Sequence, residues 1–446
     1  MVALTIQQKK ALAGYRRTWK VTPGAGIEIS DSATDRFCEL LLQDQPWGEM
    51  WSVDDVRRLI EETQTTALHS ESKQVLADPA VLCKELEDRL QAELESYPRD
   101  YFVYVELPGL DPDFLDEELL VLSDQIALVR TSAPFKKIER LVRPNFPVGL
   151  GNLLADVSSI EEAREALRPV SDFLLEQDSV YLRVTESGAL LDFLFGEESA
   201  LLPRALTTVK IVVFYGLEIG LFKRREIFRS RHHDPGPRTI AHVAIHAMHG
   251  DEQQPEQMSR DLENFMRGVT FNYSDEKRDE LSSCRNVEAD LQPVVRFLSI
   301  LRADANAQRI AAGIEWLIDS LVTTNQTLSL VQSCIGIEAI LGDSTPGAYE
   351  LGITARLSER FAYLMGTSAE NRNALRDQFR LVFAKRGDLV HARRHRLPPH
   401  ELQVVQIAQK MLQELIRKEL SLMLDLSPGV LSQMDSMEIK LNMRPF

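Results

Sequence analysis

Arg386 and His391, separated by four residues in the string FRLVFAKRGDLVHARRHR at 379–396, form the pair in this chain best suited to chemistry on a phosphate. A histidine that titrates near neutrality can take the proton of a ribose 2′-hydroxyl as that oxygen attacks the adjacent phosphorus, or return one to the leaving 5′-oxygen. An arginine can hold two phosphate oxygens and stabilise the charge that grows on them in the transition state. The string carries six cations, Arg380, Lys385, Arg386, Arg393, Arg394 and Arg396, against Asp388 alone, a local charge of +5 in a chain of net charge −16. A basic patch on an acidic protein points to a phosphate-bearing ligand such as RNA, whereas the overall acidity excludes a protein that coats nucleic acid with its whole surface. The spacing alone is a weak sign, and it carries a geometric difficulty: in one straight helix the two side chains stand roughly 140° apart. Gly387 can loosen the helix between them. Alternatively, two copies of the chain can meet about a two-fold axis and complete the site from both.

The elements that must position this pair read as helices. Ile310, Ile314, Leu317, Ile318 and Leu321 follow a helical stripe; Leu328, Val331, Ile335 and Leu341 give a second, Leu357, Phe361 and Leu364 a third, and Leu375, Phe379, Val382 and Phe383 a fourth. Pro398-Pro399 opens a last helix, with Glu401 in its first turn and Val404, Ala408, Met411, Leu412 and Leu415 on its buried side. Helices joined by short loops predict a bundle over residues 295–425, followed by a tail at 426–446. Glu338 and Arg360 sit on or beside these stripes, where lone charges are costly. They are expected to pair with each other as a buried salt bridge, with a direct catalytic role as the alternative.

Within this bundle GIEAILGDS, then LGITARLSERFAYLMG, then FRLVFAKRGDLVHA occur in order. The succession resembles the ApeA-like HEPN domain family: an apolar helix carrying a glutamate (Glu338), a helix ending in E-R-apolar-A (Glu359, Arg360), and an aromatic-rich helix leading into R-x4-H (Arg386, His391). The resemblance covers roughly 295–420, and YFVYVELPGLD is faintly similar to the amino-terminal strands of such proteins. It implies an all-α HEPN bundle that is dimeric and cleaves RNA without a metal or other cofactor, with Arg386 and His391 catalytic and Asp388, Glu338 and Arg360 in support. Lys385, Arg393, Arg394 and Arg396 would bind the RNA. It further implies a role in anti-phage defence or abortive infection, with a phage-derived activator as a partner. Where such nucleases often carry a polar residue after the arginine, this chain has Gly387, followed by Asp388; where this subfamily often has glycine after the histidine, it has Ala392. A HEPN module that binds RNA, nucleotide or protein without cutting is therefore the alternative.

The rest of the chain reads as α+β. Residues 1–98 are helical and acidic, with VDDVRRLIEETQ and AVLCKELEDRLQAELESY in helical spacing; Val81, Leu82, Leu86, Leu90 and Leu94 line one stripe of the second. From 99 to 250 a mixed, partly strand-rich region is expected to serve as a sensor or regulatory domain, with strands at YFVYVEL (101–107), QIALVR (125–130) and VYLRVT (180–185) and breaks at ELPGLDP and SDQ. The polar stretch 251–294 reads as a connecting segment with some helix. His232, His233, His242, His246 and His249 crowd RHHDPGPRTIAHVAIHAMHG. His242 and His246 share a face in helix or strand, and H-x-x-x-H can bind zinc. The zincin pattern needs a glutamate where Val243 stands, however, and TIAHVAIHA reads as a strand that sets His249 apart. Packed or surface histidines, with no metal, are expected, and a metal-dependent hydrolase is the third reading.

Cys38, Cys83, Cys284 and Cys334 contain no C-x-x-C pair, which suits a reduced, cytoplasmic protein. The most apolar run, IVVFYGLEIGLF at 211–222, is short and carries Glu218, so no membrane span is expected. The first twenty residues lack the apolar core and cleavage site of a secretory signal.

Overall fold

Alternating residues at 99–107 and 179–188, and helical stripes from 284 onward, divide the chain into a sheet region and a helical region, and the fold is α+β. The structure, a computed structural model, describes residues 4–22, 26–28, 30–43, 53, 56–61, 63, 79–115, 118–131, 179–188, 201–224, 242–248, 253–272, 284–342, 352–391, 395–427 and 429–431. The helices are α1 (Ile6–Arg16), α2 (Asp31–Leu42), α3 (Pro79–Ser96), α4 (Leu201–Glu218), α5 (Arg260–Arg267), α6 (Cys284–Ile300), α7 (Ala305–Val322), α8 (Gln326–Leu341), α9 (Ile353–Met365), α10 (Ala369–Val390) and α11 (Gln403–Leu424). The strands are β1 (Lys20–Thr22), β2 (Gly26–Glu28), β3 (Arg99–Glu106), β4 (Leu119–Val121), β5 (Ile126–Thr131), β6 (Ser179–Gly188), β7 (Phe222–Arg224), β8 (His242–Ala247), β9 (Gln253–Gln257) and β10 (Val269–Phe271). Two strand pairs, β1-β2 and β7-β10, accompany a six-stranded sheet in the order β4-β5-β6-β3-β8-β9. The expected strands at 101–107, 125–130 and 180–185 lie in β3, β5 and β6. β5 pairs antiparallel with β6, Leu128 opposite Leu182.

The residues fall into two compact units, one of Met1–Val103, Thr185–Ala205 and Ala244–Glu256, the other of Tyr104–Val184, Leu206–Val243 and Gln257–Phe446. In the first, α1 opens with a capping box: Gln8 N–H donates to Thr5 Oγ1 at 3.2 Å and Thr5 N–H to Gln8 Oε1 at 2.9 Å. Its buried face meets α2 through Tyr15, stacked on Phe37 with centroids 4.9 Å apart, and the Tyr15 hydroxyl shares a hydrogen bond with Thr34 Oγ1 at 2.9 Å. Leu86, Leu90 and Leu94 of α3 join that core as the stripe predicts; the side chains of Val81 and Leu82 lie outside the described residues. The β1-β2 pair has no counterpart in the sequence reading, because three-residue strands carry too little alternation to register.

In the second unit, Ile310, Ile314, Leu317 and Ile318 of α7 and Val404, Ala408, Met411, Leu412 and Leu415 of α11 are buried as expected. Phe361, Phe379, Val382 and Phe383 are buried on α9 and α10. The expected stripe on α8 is corrected in its first three positions: Leu341 is buried, but Leu328 is 45% exposed and Val331 and Ile335 are half-buried, while Ser329, Ser333, Cys334, Gly336 and Ile337 face inward. Small residues let α8 approach its neighbours closely. A Cβ on Gly336 would stand 2.6 Å from Leu412 Cδ2, and one on Gly313 of α7 2.4 Å from Ile340 Cδ1. The buried hydroxyls are satisfied locally, Ser329 donating to Ser320 O at 2.7 Å and Ser333 to Ser329 O at 2.9 Å.

The apolar run at 211–222 is the end of α4 and the start of β7. Lys210 Nζ of α4 meets Asp319 Oδ1 of α7 at 2.7 Å. Glu218, fully buried, accepts from Arg417 Nε at 2.6 Å and from Gln413 Nε2 at 2.8 Å, both on α11. Among the described residues, no helix is long and apolar enough to cross a membrane. The polar stretch 251–294 holds β9, α5, β10 and the start of α6, more structure than its composition announces. Ser259 caps α5 and the Arg224 guanidinium lies 4.9 Å over the Phe265 ring.

Candidate active site

α10 begins at Ser368, whose hydroxyl accepts from Asn371 N–H at 3.1 Å, and buries Phe379, Val382 and Phe383 on one side. Arg386 lies one turn beyond Val382 and Phe383 and so shares their inward side. Helical spacing thus turns this guanidinium toward α8 and leaves it half-buried.

There Arg386 Nη2 meets Glu338 Oε2 of α8 at 3.1 Å, with 26% and 30% of the two side chains exposed. The Arg386 Nε atom is buried and has no hydrogen-bond partner among the described residues. One turn before Glu338, burial pushes the Cys334 thiol up to about 12; the nearby Arg386 cation opposes this and Glu338 reinforces it. The expected Glu338–Arg360 salt bridge is therefore corrected. Arg360 Nη1 instead donates to Leu341 O at 2.7 Å. That carbonyl belongs to the last turn of α8, where helix carbonyls lack intrahelical donors and a cation is favoured by the helix dipole. Glu338, Arg360 and Arg386, drawn from three separate motifs, thus converge on the C-terminal turn of α8. Glu359 is turned elsewhere and meets Arg376 Nε at 2.7 Å.

α10 continues through Gly387 without a break. His391, the residue that ends it, donates its backbone N–H to Gly387 O at 3.0 Å and has φ −85 and ψ 19. The expected loosening of the helix at Gly387 is thus corrected. The His391 side chain is exposed and has no hydrogen-bond partner among the described residues. Asp388 is half-buried on the helix between them.

Of the four residues expected to hold RNA, Lys385 is engaged within the chain, its Nζ 2.7 Å from Glu401 Oε1 with both side chains largely buried. Arg396 is exposed. Arg393 and Arg394 lie outside the described residues. Sequence reasoning placed Glu401 in a helix start but missed that it faces Lys385; a carboxylate sixteen positions away leaves no periodic trace.

His242 and His246 fall in β8, as the strand reading of TIAHVAIHA requires. His246 is half-buried, while His232, His233, His249 and the His242 side chain lie outside the described residues. Among the described residues, no three His, Cys, Asp or Glu side chains gather as a metal-binding group.

The Glu338–Arg386 pair sets an expectation for stability. Both side chains keep a quarter or more of their surface in water, so Glu338→Ala should lower folding stability by only ~1 kcal/mol or less. Urea denaturation checks this; a loss of about 3 kcal/mol or more would be the cost of a fully buried pair.

No protein family, curated protein or solved structure matches the chain.

Proposed function

We propose that residues 295–425 form a HEPN-type endoribonuclease domain of the ApeA-like kind, with Arg386 and His391 as its catalytic pair. The observation that carries the reading is the convergence of Glu338, Arg360 and Arg386 on one helix end, on the helix pair whose second member ends at the exposed His391. Residues singled out by three motifs are spatial neighbours. In the proposed reaction His391 accepts the proton of the substrate 2′-hydroxyl, the 2′-oxygen attacks phosphorus, and the 5′-oxygen leaves with a proton from the imidazolium. Arg386, held by Glu338 through one nitrogen, stabilises the negative charge on the phosphorane oxygens. Arg396, with Arg393 and Arg394 next to it in sequence, supplies cations for the flanking phosphates.

Because α10 is unbroken at Gly387, the two catalytic side chains of one copy diverge. The site is accordingly proposed to form between two copies across a two-fold axis. The same reading places the protein in the cytoplasm and assigns it to anti-phage defence by abortive infection. It makes residues 99–250 a sensor region that answers a phage-derived activator.

The chemistry needs a base, an acid and a phosphate-binding cation, so cleavage of a labelled RNA by the full-length protein should persist in excess EDTA. Loss of cutting in EDTA, restored by a divalent ion, would contradict the mechanism and favour a metal-dependent hydrolase. One observation favours a second reading, a HEPN module that binds without cutting: Glu338 already engages the Arg386 guanidinium. RNA binding with no cleavage under any condition would select that reading.

A further inference from the structure

The first turn of α8 and the last turn of α10 enclose a groove of about 370 Å³. Its floor is apolar, made by Leu328 and Val331 of α8 and Leu389 and Val390 of α10. Leu328 and Val390 keep 45% and 49% of their surface in water, so a ligand there gains apolar contact. The remaining lining residues, Asn325, Thr327 and His395, are polar. Asn325 Oδ1 accepts from the Thr327 and Leu328 N–H groups at 3.1 and 3.3 Å, leaving its amide N–H groups without a partner among the described residues. Thr327 Oγ1 accepts from Leu397 N–H at 3.1 Å, which closes the 395–397 turn over α8 and leaves the hydroxyl proton to donate. The exposed imidazole of His395 adds two ring nitrogens that can hydrogen-bond.

We propose that this groove binds one nucleobase of an RNA, and that Asn325, Thr327 and His395 read its edge. A base has two apolar faces and a rim of donors and acceptors, which is the composition of the groove. A phosphate would instead call for arginine or lysine, and among the described residues none lines the groove. Leu389 and Val390 are the two residues before His391, so a base seated on them belongs to a nucleotide beside the phosphate that His391 addresses. The choice of RNA as the source of the base and its placement beside that phosphate rest on the nuclease reading. The groove then confers base preference at the position flanking the cut.

The test uses the full-length protein, wild type, Leu328→Glu and Asn325→Ser, with fluorescent 2′-O-methylated oligoadenylate, oligouridylate and oligocytidylate that cannot be cut. Leu328 is exposed enough to accept Glu, and Ser keeps the helix cap while removing the amide. Wild type should prefer one base by about tenfold or more. Leu328→Glu should weaken binding of the favoured oligomer by at least about tenfold, and Asn325→Ser should bring the preference within about threefold. Equal binding of all oligomers by wild type, unchanged in Leu328→Glu, overturns the proposal. So does a Leu328→Glu variant that sediments as a monomer where wild type is a dimer yet keeps its base preference, because a second copy then occupies the groove. A base preference removed by both variants, in a protein that never cuts unmodified RNA, supports the base site and overturns the nuclease reading alone.

Discussion

His391→Ala should reduce RNA cleavage by about 10²- to 10⁴-fold with the melting temperature unchanged, because losing a positioned proton-transfer group costs that much while the exposed side chain makes no hydrogen bond among the described residues. Arg386→Ala should cost about 10²- to 10³-fold, the usual effect of removing one donor to a developing oxyanion. It leaves Glu338 unpaired, but that carboxylate is 30% exposed and can be hydrated, so the fold should persist. Both residues act on one transition state, and the double variant should be scarcely slower than the worse single one. Single-turnover cleavage of a labelled RNA, read beside thermal melting, checks all three. Two fully active single variants would remove the pair from the mechanism.

Arg417→Met should destabilise the second unit by about 3–5 kcal/mol, since it leaves the fully buried carboxylate of Glu218 with Gln413 as its remaining donor. The loss should depend on pH in a definite sense. Burial, the largest influence, raises the Glu218 pKa above its ordinary value even with Arg417 opposing it. Between the ordinary and the raised value the folded chain binds the extra proton, so stability falls as pH rises through that window. Without Arg417 the folded pKa climbs further and the window widens. The destabilisation should therefore be larger at about pH 8 than at about pH 5. Replacing the carboxylate too, in Glu218→Gln/Arg417→Met, should recover most of the loss. Urea midpoints of the three proteins at both pH values provide the measurement; a pH-independent loss under about 1 kcal/mol would mean that the pair is not effectively buried.

The sheet was legible where apolar and polar residues alternate over a full strand, as in Val180, Leu182 and Val184 of β6. Burial follows that alternation from Leu182 to Gly188 of β6 and from Tyr101 to Val105 of β3, with Tyr181 and Glu106, buried as well, departing from it. The helices of the second unit were legible from their stripes, except for the face of α8. Its hydrophobic residues run nearly all round, and the face that packs is chosen by size. Ser329, Ser333 and Gly336 turn inward because only small side chains fit against α7 and α11, and Leu328 is left outside. Hydrophobicity alone therefore selects the wrong stripe.

At the candidate site the residues were legible but their partnerships were not. Arg360 and Arg386 are equally plausible partners for Glu338 in sequence; the choice depends on helix phase. The two arginines lie on different helices, and their positions against α8 put Arg360 at the Leu341 carbonyl and Arg386 at the Glu338 carboxylate. The groove at the start of α8 left no motif at all, since it is assembled from two helix ends and a turn that are neighbours only in the fold.

The chemical character of the new RNA ends tests the central claim most directly. RNA incubated with the full-length protein, or recovered from cells expressing it beside His391→Ala, is sequenced with ligation schemes that distinguish end types. Attack by the substrate's own 2′-hydroxyl predicts 2′,3′-cyclic phosphate and 5′-hydroxyl ends that disappear in the variant. Ends bearing 5′-phosphate and 3′-hydroxyl would contradict it, because water or a metal-bound hydroxide would then have been the nucleophile.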